Sequence, residues 1–333
     1  MKITLIVLSL LLLGCTTNKT GHAPEKIRVL FDSDTNNELD DQHALAYLLF
    51  NGDSFGLAGV TVNATRSGGR IELQYAEAER VMRLCGFGEK LPLYKGANSS
   101  FDSIRYQTDS ASFDGDAGVN FIIDEAKKPV SQKLVVIAVG KLTNLALALK
   151  KEPAIANAIR LVWLGSNYPE PGEYNQDNDT ASVNYVLSTP VEFEIVTVRY
   201  GKPTGSDVVR LSQAEVNRNM PGKGPHIATP VTGRHGGDFT SFGDYSVNLF
   251  EHIHYSGTPP SRALFDMVAV AIVKNPEWGK KTEIPAPKLV NNRWVEQPEN
   301  ARKITVWGDF DKEKIIADFY QTMDHYQPVE ILK

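Results

Sequence analysis

Four aspartates fall within ten residues of this chain, in the segment Val29-Leu-Phe-Asp-Ser-Asp-Thr-Asn-Asn-Glu-Leu-Asp-Asp41. Carboxylates at such spacing repel one another unless a cation lies between them. No Cys or His interrupts the segment, so oxygen is the only ligand type, which suits Ca²⁺ best and Mg²⁺ less well. The alternative is a solvated acidic turn in which one aspartate caps a helix, because Asp-rich turns are common.

The residues on either side of these acids predict a strand that leads into a helix. Val29, Leu30 and Phe31 indicate a buried strand, and residues 40–50 carry apolar side chains at helical spacing. The acids therefore lie at the carboxyl end of a strand, where open α/β sheets bind their ligands. Acidic residues are also stabilised at a helix N-terminus by the helix dipole. This context favours a cation site over a solvated turn.

Strand-like apolar runs alternate with helical segments along much of the chain. The strand-like runs cover residues 28–31, 57–62, 134–139, 161–164 and 193–198. The helical segments cover residues 40–50, 71–85 and 142–150. This alternation predicts an α/β fold, a single domain with a mostly parallel central sheet flanked by helices, as in Rossmann-like open sheets. Residues 220–245 show no clear periodicity, and their length predicts a functional loop or lid.

The composition is that of an ordinary globular protein. The chain has 333 residues, 42% of them hydrophobic, and a formal net charge of −5. Without a Lys/Arg cluster there is no electrostatic reason for it to bind a nucleic acid polymer. Cys85 lies in an apolar helical stretch and is most simply a small core residue.

The first residues predict export. Met1-Lys2 precedes the apolar run Ile3 to Leu13, which is too short to span a bilayer and is typical of a secretory signal. The ending Leu12-Leu-Gly-Cys15 resembles the lipobox of bacterial lipoproteins, which implies lipidation of Cys15 and anchoring to a membrane facing the periplasm or the cell surface. The alternative is a plain signal peptide with a coincidental cysteine. We therefore divide the chain into a signal peptide (1–15), a polar tether (16–25) and a catalytic domain (26–333).

Polar residues follow several other predicted strands. Asn63 follows residues 57–62, and Gly140-Lys-Leu-Thr-Asn144 follows residues 134–139. Glu173-Tyr-Asn175 lies in the loop after residues 161–164, and Phe265-Asp266 precedes an apolar helix. Taken singly, Asn63 would more often be a turn residue and Asp266 a helix cap. Their recurrence at strand ends, in one order, predicts a shared site.

The order and spacing of these motifs resemble the nucleoside hydrolases, the inosine–uridine preferring family of N-ribohydrolases, over roughly residues 27–330. The family opens with Asp-x-Asp-Pro-Gly-x-Asp-Asp, whereas this chain has two more residues between the acid pairs and lacks the Pro-Gly. The resemblance implies that Asp34 and Asp41 ligate Ca²⁺ and that Asp34 also helps to deprotonate the attacking water. It implies that Asp40 binds a ribose hydroxyl.

The resemblance also implies roles for the later motifs. The backbone carbonyl of Val139 and the carboxylate of Asp266 would complete the metal site. Ribose contacts would come from Asn63, Glu173 and Asn175. The substrate would be a small nucleoside or related glycoside, and the protein would assemble as a homodimer or homotetramer.

The chemistry suits these residue types. Breaking an N-ribosyl bond passes through an oxocarbenium-like state with positive charge on the sugar ring. Carboxylates around the ring stabilise that charge, and one of them can accept the proton of the attacking water.

The aglycone side departs from the family. Many members have a His before the last Asp, where this chain has Phe265, and a second family His aligns loosely with Asp114. Phe265, Tyr174 or Trp163 could hold the base between aromatic rings. Alternatively, one of two histidines in the long loop supplies the acid: His226 or His235. His252 and His254 have no third ligand nearby, so we expect no zinc site there.

Two classes of function follow. The first is a Ca²⁺-dependent, exported hydrolase of an N-ribosyl bond. The second is a metal-dependent ribose- or glycoside-binding lipoprotein with weak or no turnover, as the loss of the histidine at Phe265 suggests. A hydrolase of a different furanoside is a further alternative within the first class.

Overall fold

The computed structural model describes residues 25–333, so the predicted signal peptide, the lipidation at Cys15 and nearly all of the tether lie outside the described residues. The strands are β1 (Ile27–Ser33), β2 (Phe55–Val62), β3 (Leu93–Lys95), β4 (Leu134–Ala138), β5 (Ile159–Ser166), β6 (Glu192–Thr197), β7 (Arg210–Leu211), β8 (Val231–Thr232), β9 (Asp238–Phe239), β10 (Arg262–Ala263), β11 (Lys280–Pro285), β12 (Lys288–Val290), β13 (Arg293–Val295), β14 (Lys303–Gly308) and β15 (Glu330–Ile331). The helices are α1 (Leu39–Leu49), α2 (Ile71–Leu84), α3 (Phe101–Ile104), α4 (Asp116–Ala126), α5 (Thr143–Lys151), α6 (Tyr174–Asn178), α7 (Thr180–Ser188), α8 (Gln213–Asn219), α9 (Phe242–Glu251), α10 (Phe265–Lys274) and α11 (Lys312–Asp324). None of these helices is long and apolar enough to cross a membrane.

The central sheet has nine strands in the order β11-β14-β6-β5-β4-β1-β2-β15, with β3 also paired to β2. All of its pairings are parallel except β11 with β14. The fold is therefore a single α/β domain with a mostly parallel central sheet, as the sequence predicted.

Apolar side chains cover both faces of this sheet. In β4, Val135 and Ile137 join one core cluster while Leu134, Val136 and Ala138 join the other, because successive strand residues point to opposite faces. Helices α1, α2 and α10 pack on the first face, and α4, α5 and α7 pack on the second. Burial on both faces explains why the strand sequences are continuous apolar runs.

Strand β1 lies at the point where the winding of the sheet reverses. The chain passes from β1 to β2 on one side and then returns to β4 on the other. Parallel sheets bind ligands outside the carboxyl ends of strands at such a reversal. The Asp-rich turn follows β1 directly, so the topology puts it at this position.

The five predicted strands correspond to β1, β2, β4, β5 and β6, and the three predicted helices to α1, α2 and α5. The prediction for residues 220–245 was wrong in part, since the segment contains the β8–β9 hairpin and the start of α9. A helix follows there because Ser241 caps it by accepting a hydrogen bond from the Asp244 amide.

Candidate active site

Three carboxylates meet where two helices begin. Asp40 and Asp41 lie in the first turn of α1, and Asp266 lies in the first turn of α10. Each offers one oxygen, and these oxygens lie within 4.8 Å of one another. Both helices pack against the same sheet face, so their positive N-terminal ends converge on the acids and partly offset the repulsion.

Asp34 belongs to the same group of charges. Its Oδ2 accepts a hydrogen bond from the Thr65 hydroxyl, whereas its Oδ1 is buried and has no hydrogen-bond partner among the described residues. The Ser33 hydroxyl donates to Asp41 Oδ1 at 2.7 Å. A buried carboxylate oxygen without a donor is costly unless a ligand completes it.

The pKa values of these carboxyls also show that their negative charge is not balanced by the described residues. Burial raises the pKa of Asp34 and of Asp40 to about 7, against an ordinary value of 3.8. Burial and the neighbouring carboxylates raise the pKa of Asp41 and of Asp266 well above that value. A cation would reverse both effects, because it favours the ionised form of every carboxylate around it.

Asp32 has a different role from the other acids of the turn. It accepts three side-chain hydrogen bonds, from Thr61 at 2.6 Å, Asn63 at 3.0 Å and Asn144 at 2.7 Å. Burial raises the pKa of Asp32 to about 6, although these three donors oppose the rise. Asp32 therefore ties together the ends of β1 and β2 and the start of α5, which fixes the position of the acid turn.

Lys141 stands where the family motif has proline. It is buried and donates to the Ser99 carbonyl at 2.7 Å, and burial lowers its pKa while Asp34 and Asp32 among its neighbours oppose that change. The lysine thus connects the loop after β3 with the acidic residues at the end of β1.

The residues of the Glu-Tyr-Asn motif lie on the opposite wall. Glu173 caps α6 by accepting from the Gln176 amide at 2.9 Å, and burial raises its pKa to about 7. Asn175 Nδ2 donates to the Val139 carbonyl at 2.8 Å, while Asn175 Oδ1 is buried without a partner among the described residues. Tyr174 accepts a hydrogen bond from the Ser67 amide at 2.7 Å.

The acid cluster and the Glu-Tyr-Asn motif line one cleft of about 350 Å³, a size common for small-molecule sites. Nearly all the predicted site residues line it: Asp34, Asp40, Asp41, Val139, Glu173, Tyr174, Asn175, Phe265 and Asp266. The remaining lining adds Asn37, Glu38, Ser67, Leu164, Val198, Tyr200, Asp207, Arg210, Ser256, Arg262 and Ala263.

Among the described residues to which the resemblance assigns a metal or ribose contact, Asn63 is the one that does not line the cleft. It is fully buried behind Asp34 and donates to Asp32, and its Oδ1 has no partner among the described residues. Gly140 separates the two side chains, since a Cβ at that glycine would lie 2.9 Å from both Asn63 Oδ1 and Asp34 Oδ1. A ribose contact from Asn63 stays a prediction.

The aromatic and histidine alternatives were wrong for three residues. Trp163 is fully buried and donates to the Gly140 carbonyl at 2.9 Å, because its position in β5 points it into the core. His226 bonds to the Gly222 carbonyl, and His235 stacks on His252 with ring centroids 4.6 Å apart. No described histidine lines the cleft. Asp114, at the position of the second family His, accepts the Asn98 and Ser99 amides instead of reaching the cleft.

Sequence reasoning missed three residues that line the cleft. Tyr200 packs edge-on against Phe265, with ring centroids 5.6 Å apart. Arg210 and Arg262 come from the short paired strands β7 and β10. Strands of two residues carry no periodic signal, so only the charge of the arginines was visible in the sequence.

The family model described as inosine-uridine preferring nucleoside hydrolase matches residues 29–331. This chain belongs to that family. Members hydrolyse N-glycosyl compounds, and the protein is accordingly a glycosidase of this type. No curated protein matches the sequence.

Solved structures support the assignment of this nucleoside hydrolase fold. A plant nucleoside hydrolase superposes with a TM-score of 0.69 at 14% identity, over 90% of this chain and 99% of that chain. The inosine-uridine preferring nucleoside hydrolase from Bacillus anthracis gives 0.64 at 18% identity, over 90% and 99%. A purine-preferring ribonucleoside hydrolase from Gardnerella vaginalis gives 0.66 at 18% identity, over 89% and 98%.

Nucleoside hydrolases are metal-dependent, and the residues of this site fit a metal ion. Asp34, Asp40, Asp41 and Asp266 supply only oxygen, and Asp34 Oδ1 is buried without a partner among the described residues. A hard cation is the ligand that such a donor set prefers.

Proposed function

We propose that this nucleoside hydrolase cleaves the N-ribosyl bond of a nucleoside in a Ca²⁺-dependent reaction with an oxocarbenium-like transition state. The observation that carries the proposal is the convergence of Asp34, Asp40, Asp41 and Asp266 on one cleft, with a carboxylate oxygen of Asp34 buried and unpaired among the described residues. The metal would be held by Asp34, Asp41, Asp266 and the Val139 carbonyl. When bound, Ca²⁺ would supply the positive charge that acidifies a water molecule in the cleft.

The residues of the chain would divide the remaining work. Asp34 would accept the proton of the attacking water, since it lines the cleft and its Oδ1 has no hydrogen-bond partner among the described residues. Asp40, Glu173 and Asn175 would hold the ribose hydroxyls, and Asn63 would support them from below. The negative charge of the site would stabilise the cationic sugar ring as the bond to the base breaks.

The first experiment is release of reducing sugar from purine and pyrimidine ribonucleosides by residues 21–333, with Ca²⁺ and then with EDTA. We expect release with Ca²⁺ and its loss in EDTA, restored by added Ca²⁺. Failure of Mg²⁺ to restore activity would identify the larger cation. Release that persists in EDTA would contradict the metal dependence.

A matched pair of substitutions tests the base. Asp34→Asn should lower kcat by at least about 10³-fold, because it removes both the proton acceptor and a metal ligand. Asp102→Asn, at an exposed position of α3, serves as the control and should leave kcat unchanged. Equal activity of the two variants would refute the assignment.

A second candidate function is binding of ribose or a related glycoside without turnover. It is favoured by the cleft lining, which contains no histidine among the described residues. Calorimetry would then detect Ca²⁺-dependent binding of ribose while no ribonucleoside or other furanoside releases sugar. In that case Asp34→Asn would weaken capture only.

We also propose that the protein is exported as a lipoprotein through Cys15. Incorporation of labelled palmitate by cells expressing the full chain, and its loss in Cys15→Ser, would test this. Assembly as a homodimer or homotetramer can be checked by light scattering on the purified domain.

A further inference from the structure

The cleft has no histidine among the described residues to protonate the leaving base. A departing base must be protonated or be stabilised as an anion. Phe265 occupies the position of the family histidine, and no described histidine or lysine lines the cleft. Tyr200 is a poor proton donor, because burial and the charges of Glu173 and Asp40 raise the pKa of its phenol far above 10. The carboxyls that line the cleft are engaged by the metal or the ribose in the proposed function, or are paired with an arginine, so stabilisation of the base as an anion is the remaining route.

The two arginines of the cleft differ in how they are held. Arg210 is fixed on several sides, by Asp207 at 2.6 Å, by the Ser256 hydroxyl at 2.6 Å and by the Ser261 hydroxyl and carbonyl at 3.0 and 2.9 Å. Four of its five N–H donors are occupied, so Arg210 builds the wall of the cleft.

Arg262 has one ion-pair partner among the described residues, and the charge of Asp266 also acts on its guanidinium. Its guanidinium pairs with Glu38, whose side chain is 41% exposed, and its Nε has no hydrogen-bond partner among the described residues. The Arg262 side chain keeps 17% of its surface exposed and lines the cleft three residues before Phe265. Its guanidinium can therefore turn toward a new anionic partner.

We propose that Arg262 is the leaving-group residue of this nucleoside hydrolase, and that it selects heterocycles that depart as anions; this rests on the proposed function above. A water oxygen bonds to C1′ while the C1′–N bond breaks and its electron pair leaves with the heterocycle. The water proton passes to Asp34, which returns it to solvent when the products leave. The heterocycle anion pairs with Arg262 and takes a proton from solvent after release.

Arginine suits this role because its guanidinium stays charged at all working pH values and presents several donors. Tyr200 and Phe265 are packed together and line the same cleft as Arg262, so a flat heterocycle could lie against the rings with its polar edge toward the guanidinium. Glu38 keeps Arg262 near the cleft when the site is empty of substrate.

The test compares leaving groups that need different amounts of assistance. The substrates are inosine, uridine and 4-nitrophenyl β-D-ribofuranoside, whose phenolate departs readily without help. Arg262→Gln should lower kcat/KM about 10²-fold on both nucleosides, the range for loss of one charge-stabilising donor. It should lower kcat/KM less than about 3-fold on the nitrophenyl riboside. Arg262→Lys, which keeps a charge, should recover part of the loss.

Two controls distinguish leaving-group assistance from a general effect of losing an arginine and from phosphate binding. Arg218→Gln, on the exposed side of α8, should leave all three substrates unchanged. Uridine 5′-monophosphate is the fourth substrate, because an arginine that binds a 5′-phosphate would change KM for this compound alone. That result would overturn the proposal.

The remaining outcomes of the substrate comparison are also decisive. An equal loss on all substrates would assign Arg262 to structure, and no loss would assign it no part in the reaction. Turnover of the nitrophenyl riboside alone by the unsubstituted protein would show that the cleft gives no help to the leaving base. Absence of all turnover would refute the proposed function itself, and this inference with it.

Discussion

Replacement of Asn144 by Ala should destabilise the protein more than a typical surface substitution, because the Asn144 side chain connects the ends of β1 and β2 with the loop after β3. Its Nδ2 donates to Asp32 Oδ1 at 2.7 Å and to the Val62 carbonyl at 3.2 Å. Its Oδ1 accepts the Ala97 amide at 2.8 Å, and the side chain is fully buried. Gly96 permits this approach, since a Cβ there would lie 2.2 Å from the Asn144 amide.

The magnitude follows from what the substitution leaves unpaired. Loss of a hydrogen bond to a carboxylate costs about 1.5–3 kcal/mol, and a buried amide N–H without a partner costs about 1–3 kcal/mol. The free energy of unfolding should therefore fall by about 3–5 kcal/mol. With an unfolding entropy of about 2.1 cal/mol/K per residue over the described chain, this lowers Tm by about 5–8 °C.

The assay is thermal unfolding followed by circular dichroism in EDTA, so that metal binding does not contribute. Asn120→Ala is the matched control, because Asn120 is only half-buried and accepts a single hydrogen bond from Lys151; its Tm should change by less than about 1 °C. Asn144→Asp keeps the acceptor for Ala97 but sets a second carboxylate against Asp32, so it should be the least stable variant above pH 7. A Tm of Asn144→Ala within about 1 °C of that of the unsubstituted protein would refute the stabilising role given to the Asn144 hydrogen bonds.

Three further predictions concern charge and space. In EDTA, Tm should fall from pH 5.5 to pH 8, and Ca²⁺ should restore it most at pH 8. Burial raises the pKa values of the site carboxyls to about 6–7, so the folded state holds protons that the unfolded chain releases near pH 4, and its stability is lost as pH rises through that window. A Tm in EDTA that does not change with pH would contradict this. Gly140→Ala should lower kcat/KM at least about 10-fold with the circular dichroism spectrum unchanged, because the added Cβ would lie 2.9 Å from Asp34 Oδ1 and Asn63 Oδ1. Full activity would contradict this, since it would mean that Asp34 has room to move. Glu125→Leu should lower the free energy of unfolding, measured in urea, by about 3 kcal/mol, because it leaves Arg28 buried without its carboxylate partner. The additional substitution Arg28→Met should recover most of this loss. Equal stability of the single and double variants would refute the coupling.

Much of the site could be read from the sequence because its residues follow strong local patterns. The Asp-rich turn stands between an apolar strand and a helix that is buried along its whole length, and that order alone puts carboxylates at the carboxyl end of a strand. The alternation of strands and helices predicted a mostly parallel sheet, and this gave the correct fold class. The motif at Glu173 and Asn175 and the acid at Asp266 lie in the cleft as expected.

Other features depend on which side of a strand a residue faces and on contacts between distant segments. Asn63 directly follows β2 and Trp163 lies within β5, and neither side chain lines the cleft because both are buried in the interior. His226 and His235 lie in a segment without periodicity, so no local pattern could position them. Such placements are decided by the packing of α9 and the β8–β9 hairpin against the sheet helices.

The sequence by itself determined the acids, the strand that precedes them and the family motifs, because each is encoded in a short run of residues. Only the tertiary structure decided that Arg262 meets Glu38 across more than two hundred residues and that Tyr200 packs on Phe265. These contacts form when β7 and β10 pair beside the cleft, and two-residue strands leave no signal in the sequence. The sugar side of the site is thus local in origin, whereas its aglycone side is assembled by long-range packing.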